Sequence, residues 1–424
     1  MIYRITKPEK TLHGNIYLTA SKSESNRVLL IQAFSKQPFN IINLANSQDT
    51  QILSEILKNE TLIEHQRSFK KLNAEINYYT GAGGTTIRFL TAFFANRYGT
   101  RILTGSERIN KRPIKPLVDS LNKIGADISY LKKTGYPPLL IKGREIKGGK
   151  IEIDASISSQ FITALLLLAP ILKDGLTIHL KGRVVSRSYI MMTFKVLKYF
   201  GIVCTWEDDI ISIPHQDFIG KDYYIEADWS AASYWYAMVA LAEEADIKIH
   251  GLKKISIQGD AVVSDIFQFF GVNTEFIGNT VRLTKTNYIP EDFTIDFSDY
   301  PDIAQTLAVI VAAKGIPAFF NGLHTLRIKE TDRIQALLTE LAKIGIQMKE
   351  IGEASIEIKS PARIEKSDTP LFQTYNDHRM AMSFAPLALV VPEVKIEYPY
   401  VVKKSYPNFW NDMRTMGFEI NNEG

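Results

Sequence analysis

The sequence predicts a mixed α/β (α+β) fold built from six βαβαββ units, each about 71 residues long in a chain of 424 residues. Three features lead to this prediction. A glycine that ends a helix recurs at a nearly constant spacing, and each interval holds one helix that is apolar on nearly every side and one amphipathic helix. In the segments after the glycines, apolar and polar residues alternate as they do in the strands of a hairpin.

The helix-ending glycines define the length of the unit. They are Gly125, Gly201, Gly271, Gly345 and Gly417, which are 76, 70, 74 and 72 residues apart. Each lies between a helical pattern and a β-rich segment, which is the usual setting of the left-handed residue that stops a helix. Asn59 lies 66 residues before Gly125 and is a candidate for the sixth stop, because Asn is the commonest substitute for Gly in this conformation.

One helix of each unit combines a polar start with an apolar body. The bodies are residues 28–31, 87–94, 161–168, 234–241, 303–311 and 380–389, and the polar starts are 23–27, 83–86, 158–160, 228–233, 301–302 and 376–379. Such apolar helices are buried, and starts rich in Ser, Gly and Thr present free N–H groups that favour an anion. A solenoid-like duplication without chemistry is the alternative, but it would not need polar residues at every start.

Composition excludes several classes of protein. Hydrophobic residues make up 45% of the chain, charged residues 23%, and the net charge is +4, so neither disorder nor a polybasic arm for nucleic acid or membrane is expected. A single cysteine, Cys204, excludes an intrachain disulfide framework. The apolar run 161–172 is too short to span a bilayer, and the N-terminus lacks the apolar run of a signal peptide. We therefore expect a cytoplasmic protein of two or three domains.

The most densely charged segment is 327–333, with five charged side chains in seven positions before an amphipathic helix. Thr331 or Asp332 is the expected helix cap. If the helical turn reaches back to Lys329, then Lys329 and Arg333 share a face beside backbone N–H groups that favour an anion.

Glu330 lies among these cations and has two interpretations. It neutralises a solvated, salt-bridged helix start, or it transfers a proton beside an anionic substrate. Other cations recur at or near helix starts or in short loops: Lys22, Arg27, Arg88, Arg108, Lys111, Arg112, Arg379 and Lys404. Individually these are ordinary surface charges, but their repeated placement favours an anion-binding site.

Taken together, these motifs resemble the 5-enolpyruvylshikimate-3-phosphate (EPSP) synthase family of enolpyruvyl transferases. The resemblance extends over the whole chain, through residues 21–27, 84–88, 112–114, 158–161, 186–189, 258–260, 301–302, 327–333, 375–382 and 404–407. It implies two domains, each with three βαβαββ units about a pseudo-three-fold axis, in an inside-out α/β barrel. It also implies that residues 1–20 join 228–424 in one domain, that 21–227 form the other, and that the active site lies in the interdomain cleft.

The resemblance also implies the site residues. Shikimate 3-phosphate would contact Lys22, Ser23, Arg27, Ser158, Ser159, Gln160, Ser186, Asp302 and Lys329. Phosphoenolpyruvate would contact Lys22, Gly84, Arg112, Gln160, Arg333, Arg379 and Lys404. Asp302 and Glu330 would transfer protons, with Lys22 and His378 as supporting catalytic candidates.

The implied reaction is an addition–elimination that needs no metal and no other cofactor. A proton reaches C3 of phosphoenolpyruvate, the 5-hydroxyl of shikimate 3-phosphate attacks C2, and the adduct expels phosphate. We expect a monomer of the shikimate pathway, which makes aromatic amino acids, with these two small molecules as its partners. Because cations occur in both implied domains, we also expect ligand-driven domain closure.

Two alternatives remain at this point. The first is the related enolpyruvyl transferase that acts on UDP-N-acetylglucosamine and typically uses a loop cysteine, whereas Cys204 lies in a predicted strand and reads as a packed thiol. The second is a noncatalytic protein that binds anions or nucleic acid, which would have no use for Asp302 and Glu330.

Overall fold

The fold is described from a computed structural model, which describes residues 1–67, 75–359 and 369–423. The α-helices in these ranges are α1 (Lys22–Phe34), α2 (Gln48–Arg67), α3 (Gly84–Ala95), α4 (Lys115–Lys123), α5 (Ser159–Leu168), α6 (Arg187–Tyr199), α7 (Trp229–Leu241), α8 (Val263–Ile266), α9 (Ala304–Lys314), α10 (Arg333–Ala342), α11 (His378–Phe384) and α12 (Phe409–Thr415).

Short strands alternate with these helices. They are β1 (Ile2–Thr6), β2 (Thr11–Tyr17), β3 (Ile41–Ile42), β4 (Ile76–Tyr79), β5 (Gly99–Thr104), β6 (Ile128–Tyr130), β7 (Leu139–Gly143), β8 (Gly149–Asp154), β9 (Leu176–Lys181), β10 (Thr205–Glu207), β11 (Ile210–Ile213), β12 (Tyr223–Tyr224), β13 (Glu244–His250), β14 (Val272–Ile277), β15 (Thr280–Lys285), β16 (Phe293–Asp296), β17 (Ala318–Asn321), β18 (Met348–Ile351), β19 (Ser355–Ile358), β20 (Leu371–Phe372), β21 (Val394–Glu397) and β22 (Glu419–Glu423).

Contacts divide the chain into two compact units. The first unit comprises Met1–Ser21 and Glu226–Gly424, and the second comprises Lys22–Ile225. The chain thus passes from one unit to the other twice, after Ser21 and after Ile225. In the described residues, the first unit holds the sheets β20-β21-β1-β22, β14-β15-β13-β2 and β16-β17-β19-β18, and the second holds β4-β5-β7-β6, β10-β11-β9-β8 and β12-β3.

The predicted βαβαββ unit is present in unbroken form in three places. Residues from β4 to β7, from β8 to β11 and from β16 to β19 each follow this order, with the first two strands parallel and the last two in an antiparallel hairpin. Three other sheets take a strand from elsewhere in the chain, but within the described residues the sheet of β3 and β12 has only these two strands and lacks the hairpin. β2 is the parallel partner of β13, β12 is the parallel partner of β3, and β1 lies between β21 and β22.

The five glycine stops are confirmed, but the Asn59 stop is wrong. Gly125, Gly201, Gly271, Gly345 and Gly417 have φ angles of 105°, 83°, 78°, 77° and 80°, all in the region that favours glycine. Asn59 lies inside α2, which continues to Arg67. The helix continues because Leu57 packs in the core on one side of Asn59 and Glu60 forms a buried ion pair on the other.

The apolar helices form the cores of the units, as predicted. In α5 every residue except Gln160 is buried, and α7 is buried along almost its whole length. Hydroxyl groups join the central helices of the first unit: Ser233 Oγ lies 3.2 Å from Thr306 Oγ1, which lies 3.4 Å from Ser383 Oγ. Over the described ranges, we find no helix with both the length and the apolar character needed to cross a membrane.

A buried ion pair attaches α2 to the sheet of β4 and β5. Arg101 Nη2 lies 2.6 Å from Glu60 Oε2, and both side chains are inaccessible to solvent. Tyr78 donates a hydrogen bond of 2.7 Å to Glu60 Oε1, and Arg101 Nη1 donates to the carbonyls of Arg97 and Tyr98. The charges are therefore compensated on both sides, which a buried pair requires.

Glu60→Ala should destabilise the protein strongly because it leaves the Arg101 guanidinium buried without a counter-ion. We expect a loss of about 3–5 kcal/mol in the free energy of unfolding, measured by urea denaturation. Asp119→Ala is the matched control, since it breaks the exposed pair with Lys115 and should change stability little. Equal losses in the two variants would contradict this account of the Glu60–Arg101 pair.

Candidate active site

The charged segment 327–333 is a short 3-10 helix and a loop that lead into α10. The 3-10 helix spans His324–Ile328, and α10 begins at Arg333. Asp332 is the cap, since its Oδ1 accepts hydrogen bonds of 3.1 Å from the backbone N–H groups of both Ile334 and Gln335. Lys329 and Arg333 were expected to share a helical face only if the helix reached back to Lys329, and this condition is not met because α10 begins at Arg333.

Arg333 is the most buried cation of the site and binds three carboxylates. Its Nη1 lies 3.1 Å from Asp302 Oδ1, its Nη2 lies 3.0 Å from Glu330 Oε2, and its Nε lies 2.7 Å from Asp377 Oδ2. Only 1% of the Arg333 side chain is exposed. Burial alone would lower the pKa of Arg333, but the carboxylates, above all Asp377, raise it overall. The guanidinium is therefore a fixed positive charge.

Asp302 is the point at which three cations meet. Besides Arg333, Lys329 Nζ lies 3.6 Å from Asp302 Oδ1, and Arg379 Nη2 lies 3.0 Å from Asp302 Oδ2. Arg379 also donates through Nη1 to the Asp302 carbonyl at 2.9 Å and to the Tyr234 hydroxyl at 3.4 Å. The tertiary fold thus brings Lys329 and Arg333 to one carboxylate without a shared helical face.

The segment before α11 places the remaining predicted residues of this unit. Asp377 caps α11 by accepting a 2.9 Å hydrogen bond from the Arg379 N–H. His378 is almost fully buried, and its Nδ1 lies 3.8 Å from Asp377 Oδ1, beyond hydrogen-bond distance. Lys404 Nζ donates to the carbonyl of Asn376. The contacts described for His378 and Lys404 are therefore with Asp377 and Asn376.

The second unit holds the other predicted contacts, beginning at the start of α1. Lys22 Nζ lies 3.1 Å from Asp49 Oδ2. Arg27 donates hydrogen bonds to the Ser23 carbonyl at 2.6 Å, to Thr193 Oγ1 at 2.9 Å and to the Tyr189 carbonyl at 3.0 Å. Burial lowers the pKa of Arg27 to about 10, which still leaves it charged at neutral pH.

Gly84 and Arg112 meet at the start of α3. A Cβ atom added to Gly84 would lie 2.8 Å from Arg112 Nη1, so only glycine fits at this position without displacing the guanidinium. Gly84 and Arg112 line a small pocket together with Arg88, which donates a hydrogen bond from Nη1 to Gln160 Oε1. The fold therefore brings together Gly84, Arg112 and, through Arg88, Gln160.

Three of the four predicted serines lie at the starts of α5 and α6. Ser158 caps α5, with its Oγ accepting a 3.3 Å hydrogen bond from the Gln160 N–H, and Ser159 is buried beside it. Ser186 precedes α6 with a φ angle of 53°, a left-handed conformation uncommon for serine, and is buried. A strained, buried polar residue at a helix start is typical of a binding site.

Sequence reasoning assigned no role to three residues that hold the predicted ones in place. They are Asp49 beside Lys22, Asp377 beside Arg333, and Tyr234 beside Arg379. Asp377 lies within the polar helix start 376–379, so the sequence could have marked it as a candidate site residue. Asp49 and Tyr234 carry no local signal, because their partners are distant in the sequence.

Comparisons with known proteins agree with the fold. Residues 6–413 match the family described as EPSP synthase (3-phosphoshikimate 1-carboxyvinyltransferase). Proteins named 3-phosphoshikimate 1-carboxyvinyltransferase from Bacteroides fragilis (strain YCH46) and Aliivibrio salmonicida (strain LFI1238) are 42% and 36% identical, with 99% and 97% of this chain covered and 99% and 98% of those proteins. The solved structure of EPSP synthase from Acinetobacter baumannii has a TM-score of 0.76, at 19% identity, covering 99% of this chain and 100% of that one.

The family match identifies an enolpyruvyl transferase, and the mixed α/β fold agrees with that class. More particularly, the chain belongs to the EPSP synthase family. The predicted family, fold class and enzyme class are confirmed, and so is enolpyruvyl transfer from phosphoenolpyruvate to shikimate 3-phosphate as the reaction of this family.

Cys204 has the properties of a structural thiol. It precedes β10 and is partly buried, and burial raises the pKa of its thiol to about 12. A thiol with such a pKa is almost entirely protonated at neutral pH and is a poor nucleophile.

Cys204→Ala should therefore retain most of the phosphate-releasing activity, measured with phosphoenolpyruvate and shikimate 3-phosphate. Iodoacetamide should likewise fail to block turnover through this residue. Loss of activity in a folded Cys204→Ala variant would contradict a purely structural role for this thiol.

Proposed function

We propose that Asp302 and Glu330 carry out the proton transfers by which this chain moves the enolpyruvyl group of phosphoenolpyruvate to the 5-hydroxyl of shikimate 3-phosphate. The supporting observation is the convergence of Lys329, Arg333 and Arg379 on Asp302. Cations of this kind bind carboxylate and phosphate groups, and the two carboxylates beside them provide an acid and a base. Incubation of the protein with both substrates, with phosphate release as the readout, tests the proposal.

Asp302 is proposed as the base for the 5-hydroxyl. Three cations, Lys329, Arg333 and Arg379, contact its carboxylate and stabilise the ionised form. Anionic groups of the substrates would compete for these cations and reduce their hold on Asp302. Its proton affinity would then rise when the hydroxyl arrives, which couples base strength to substrate binding.

Glu330 is proposed as the proton-transfer partner of C3. Its carboxylate contacts Arg333 Nη2 at 3.0 Å and is mostly shielded from solvent. A proton added to C3 converts the methylene into a methyl group while the 5-oxygen bonds to C2. In the second half a proton leaves C3, the double bond returns, and the C–O bond to phosphate breaks.

Binding of the two anions is assigned to both units. Phosphoenolpyruvate would be held by Lys22, Gly84, Arg112, Gln160, Arg333, Arg379 and Lys404, and shikimate 3-phosphate by Lys22, Ser23, Arg27, Ser158, Ser159, Gln160, Ser186, Asp302 and Lys329. The residues of 1–20 with 228–424 and those of 21–227 would thus contribute to one active site. Lys22 and His378 are proposed to support proton transfer. Fixed positive charges would offset the repulsion between the substrates.

A monomer that acts in the cytoplasm without a cofactor is also part of the proposal. Sedimentation equilibrium tests the oligomeric state, and dialysis against a chelator followed by an activity measurement tests the need for a metal. A fall in activity that added metal restores would contradict the metal-free reaction.

Asp302→Ala and Glu330→Ala should lower kcat about 100-fold or more, with a much smaller change in the KM for phosphoenolpyruvate, because proton transfer contributes mainly in the transition state. Lys404→Met is the contrasting variant. It removes a cation proposed to bind substrate and should chiefly raise that KM. Arg333 is unsuitable for this comparison, since its removal would leave three carboxylates without their shared cation. Normal turnover in both carboxylate variants would remove the proposed mechanism.

Shikimate 3-phosphate should contract the molecule. It would contact Ser23 and Arg27 in one unit and Asp302 and Lys329 in the other, and contacts available only in a closed form shift the equilibrium toward that form. Small-angle scattering with and without shikimate 3-phosphate should show a smaller radius of gyration in its presence. An unreactive analogue of phosphoenolpyruvate should then bind more tightly, as measured by calorimetric titration. An unchanged radius together with unchanged analogue affinity would contradict ligand-driven closure.

A further inference from the structure

Asp260 is a buried carboxyl group to which the reaction scheme above assigns no role. It lies in the 3-10 helix Gly259–Val262 and is 3% exposed. One oxygen, Oδ2, accepts a hydrogen bond from Ser230 Oγ in the first turn of α7. The other oxygen, Oδ1, has no hydrogen-bond partner within the described residues. A buried carboxylate with an unsatisfied oxygen is costly, whereas a protonated carboxyl is much less so.

The charged groups around Asp260 also favour its protonated form. Asp302 and the cap of α7, Asp228, both act on it as negative charges, while Arg379 is the opposing cation. The pKa of Tyr300 is raised by burial first, and then by the negative charges of Asp299 and Asp260. Burial first and the charge of Asp302 second raise the pKa of Asp260 to about 7. Asp260 therefore titrates in the physiological range and next to the proposed base.

The charge balance of the neighbouring cluster gives this titration a consequence. Lys329, Arg333 and Arg379 are matched by the carboxylates of Asp302, Glu330 and Asp377. An ionised Asp260 would add a further negative charge next to Asp302. Since both substrates are anions, that charge would oppose their binding.

We propose that Asp260 is a positioning residue whose protonated form keeps the site receptive to anionic substrates. This inference rests on the proposed function, because it concerns the binding of the same two substrates. Deprotonation of Asp260 at alkaline pH would weaken that binding through Asp302 and Arg379. By reciprocity, bound substrate would raise the pKa of Asp260 further.

The first test is the pH dependence of the KM for phosphoenolpyruvate in wild type and in Asp260→Asn. The wild-type KM should rise by about tenfold more than the variant KM as pH passes through 7, which corresponds to about one pKa unit of coupling. The phosphate groups of the substrates titrate nearby, so the difference between the two proteins is the readout. Asp265→Asn, which removes an exposed carboxyl of α8, is the matched control and should follow the wild-type profile.

Ser230→Ala gives a second, directional readout. The Ser230 hydroxyl favours the ionised form of Asp260, so its removal should move the midpoint of the KM profile to higher pH. A residue with a purely structural role would not shift this midpoint. The same KM profile in wild type and Asp260→Asn, with both proteins active, would overturn the inference.

Thermal stability provides a test that does not depend on activity. The pKa of Asp260 is raised in the folded state to about 7, above its ordinary value in the unfolded chain. The folded state therefore binds more protons, and wild type should lose stability relative to Asp260→Asn as pH rises from about 4 through 7. If wild type releases no phosphate at any pH, the proposed function fails while the Tm comparison still tests the protonation of Asp260. Parallel Tm profiles for wild type and Asp260→Asn would overturn the inference that Asp260 is protonated in the folded protein.

Discussion

The arrangement of the candidate site depends on the buried guanidinium of Arg333. Removing a charged side chain from water costs several kcal/mol, and this cost is offset only if the charge finds well-placed partners. Arg333 binds carboxylates from three separate segments: Asp302 before α9, Glu330 before α10, and Asp377 at the start of α11. None of these segments can move away without leaving charge unpaired in the interior. One cation therefore fixes the mutual positions of the proposed acid, the proposed base and the cap of α11.

Charged side chains also compensate the free backbone groups at the ends of the buried helices. The chain supplies its own cations near the carboxyl ends. Lys285 donates to the carbonyl of Ala240 in the last turn of α7, and Arg97 donates to that of Ala33 in the last turn of α1. Lys10 donates to the carbonyl of Ala388 in the 3-10 helix Ala385–Leu389, which follows α11. These contacts satisfy carbonyl groups that a helix end leaves free and complement its partial negative charge. The amino ends of α7 and α11 are instead capped by the carboxylates of Asp228 and Asp377. The start of α1 carries Lys22, Ser23 and Arg27, which are proposed to bind substrate.

The repeated unit is local in three copies and assembled from distant segments in the others. β1 and β2 pair with strands more than 200 residues away, and β12 returns to pair with β3. Each borrowed strand fills a position that the unbroken copies fill from their own sequence. The passages between units, after Ser21 and after Ile225, follow two of these strands closely in the sequence, β2 and β12.

The sequence by itself determined the repeat, the buried helices and the glycine stops, because hydrophobic periodicity and left-handed conformation are properties of a few neighbouring residues. It also supplied the motifs that identify the family. Only the tertiary structure decided that α2 continues through Asn59, that Lys329 reaches Asp302 from a loop, and that Asp260 is buried beside Asp302. These outcomes depend on which distant charges share a low-dielectric interior. Desolvation and charge pairing act through space, so no local pattern in the sequence records them.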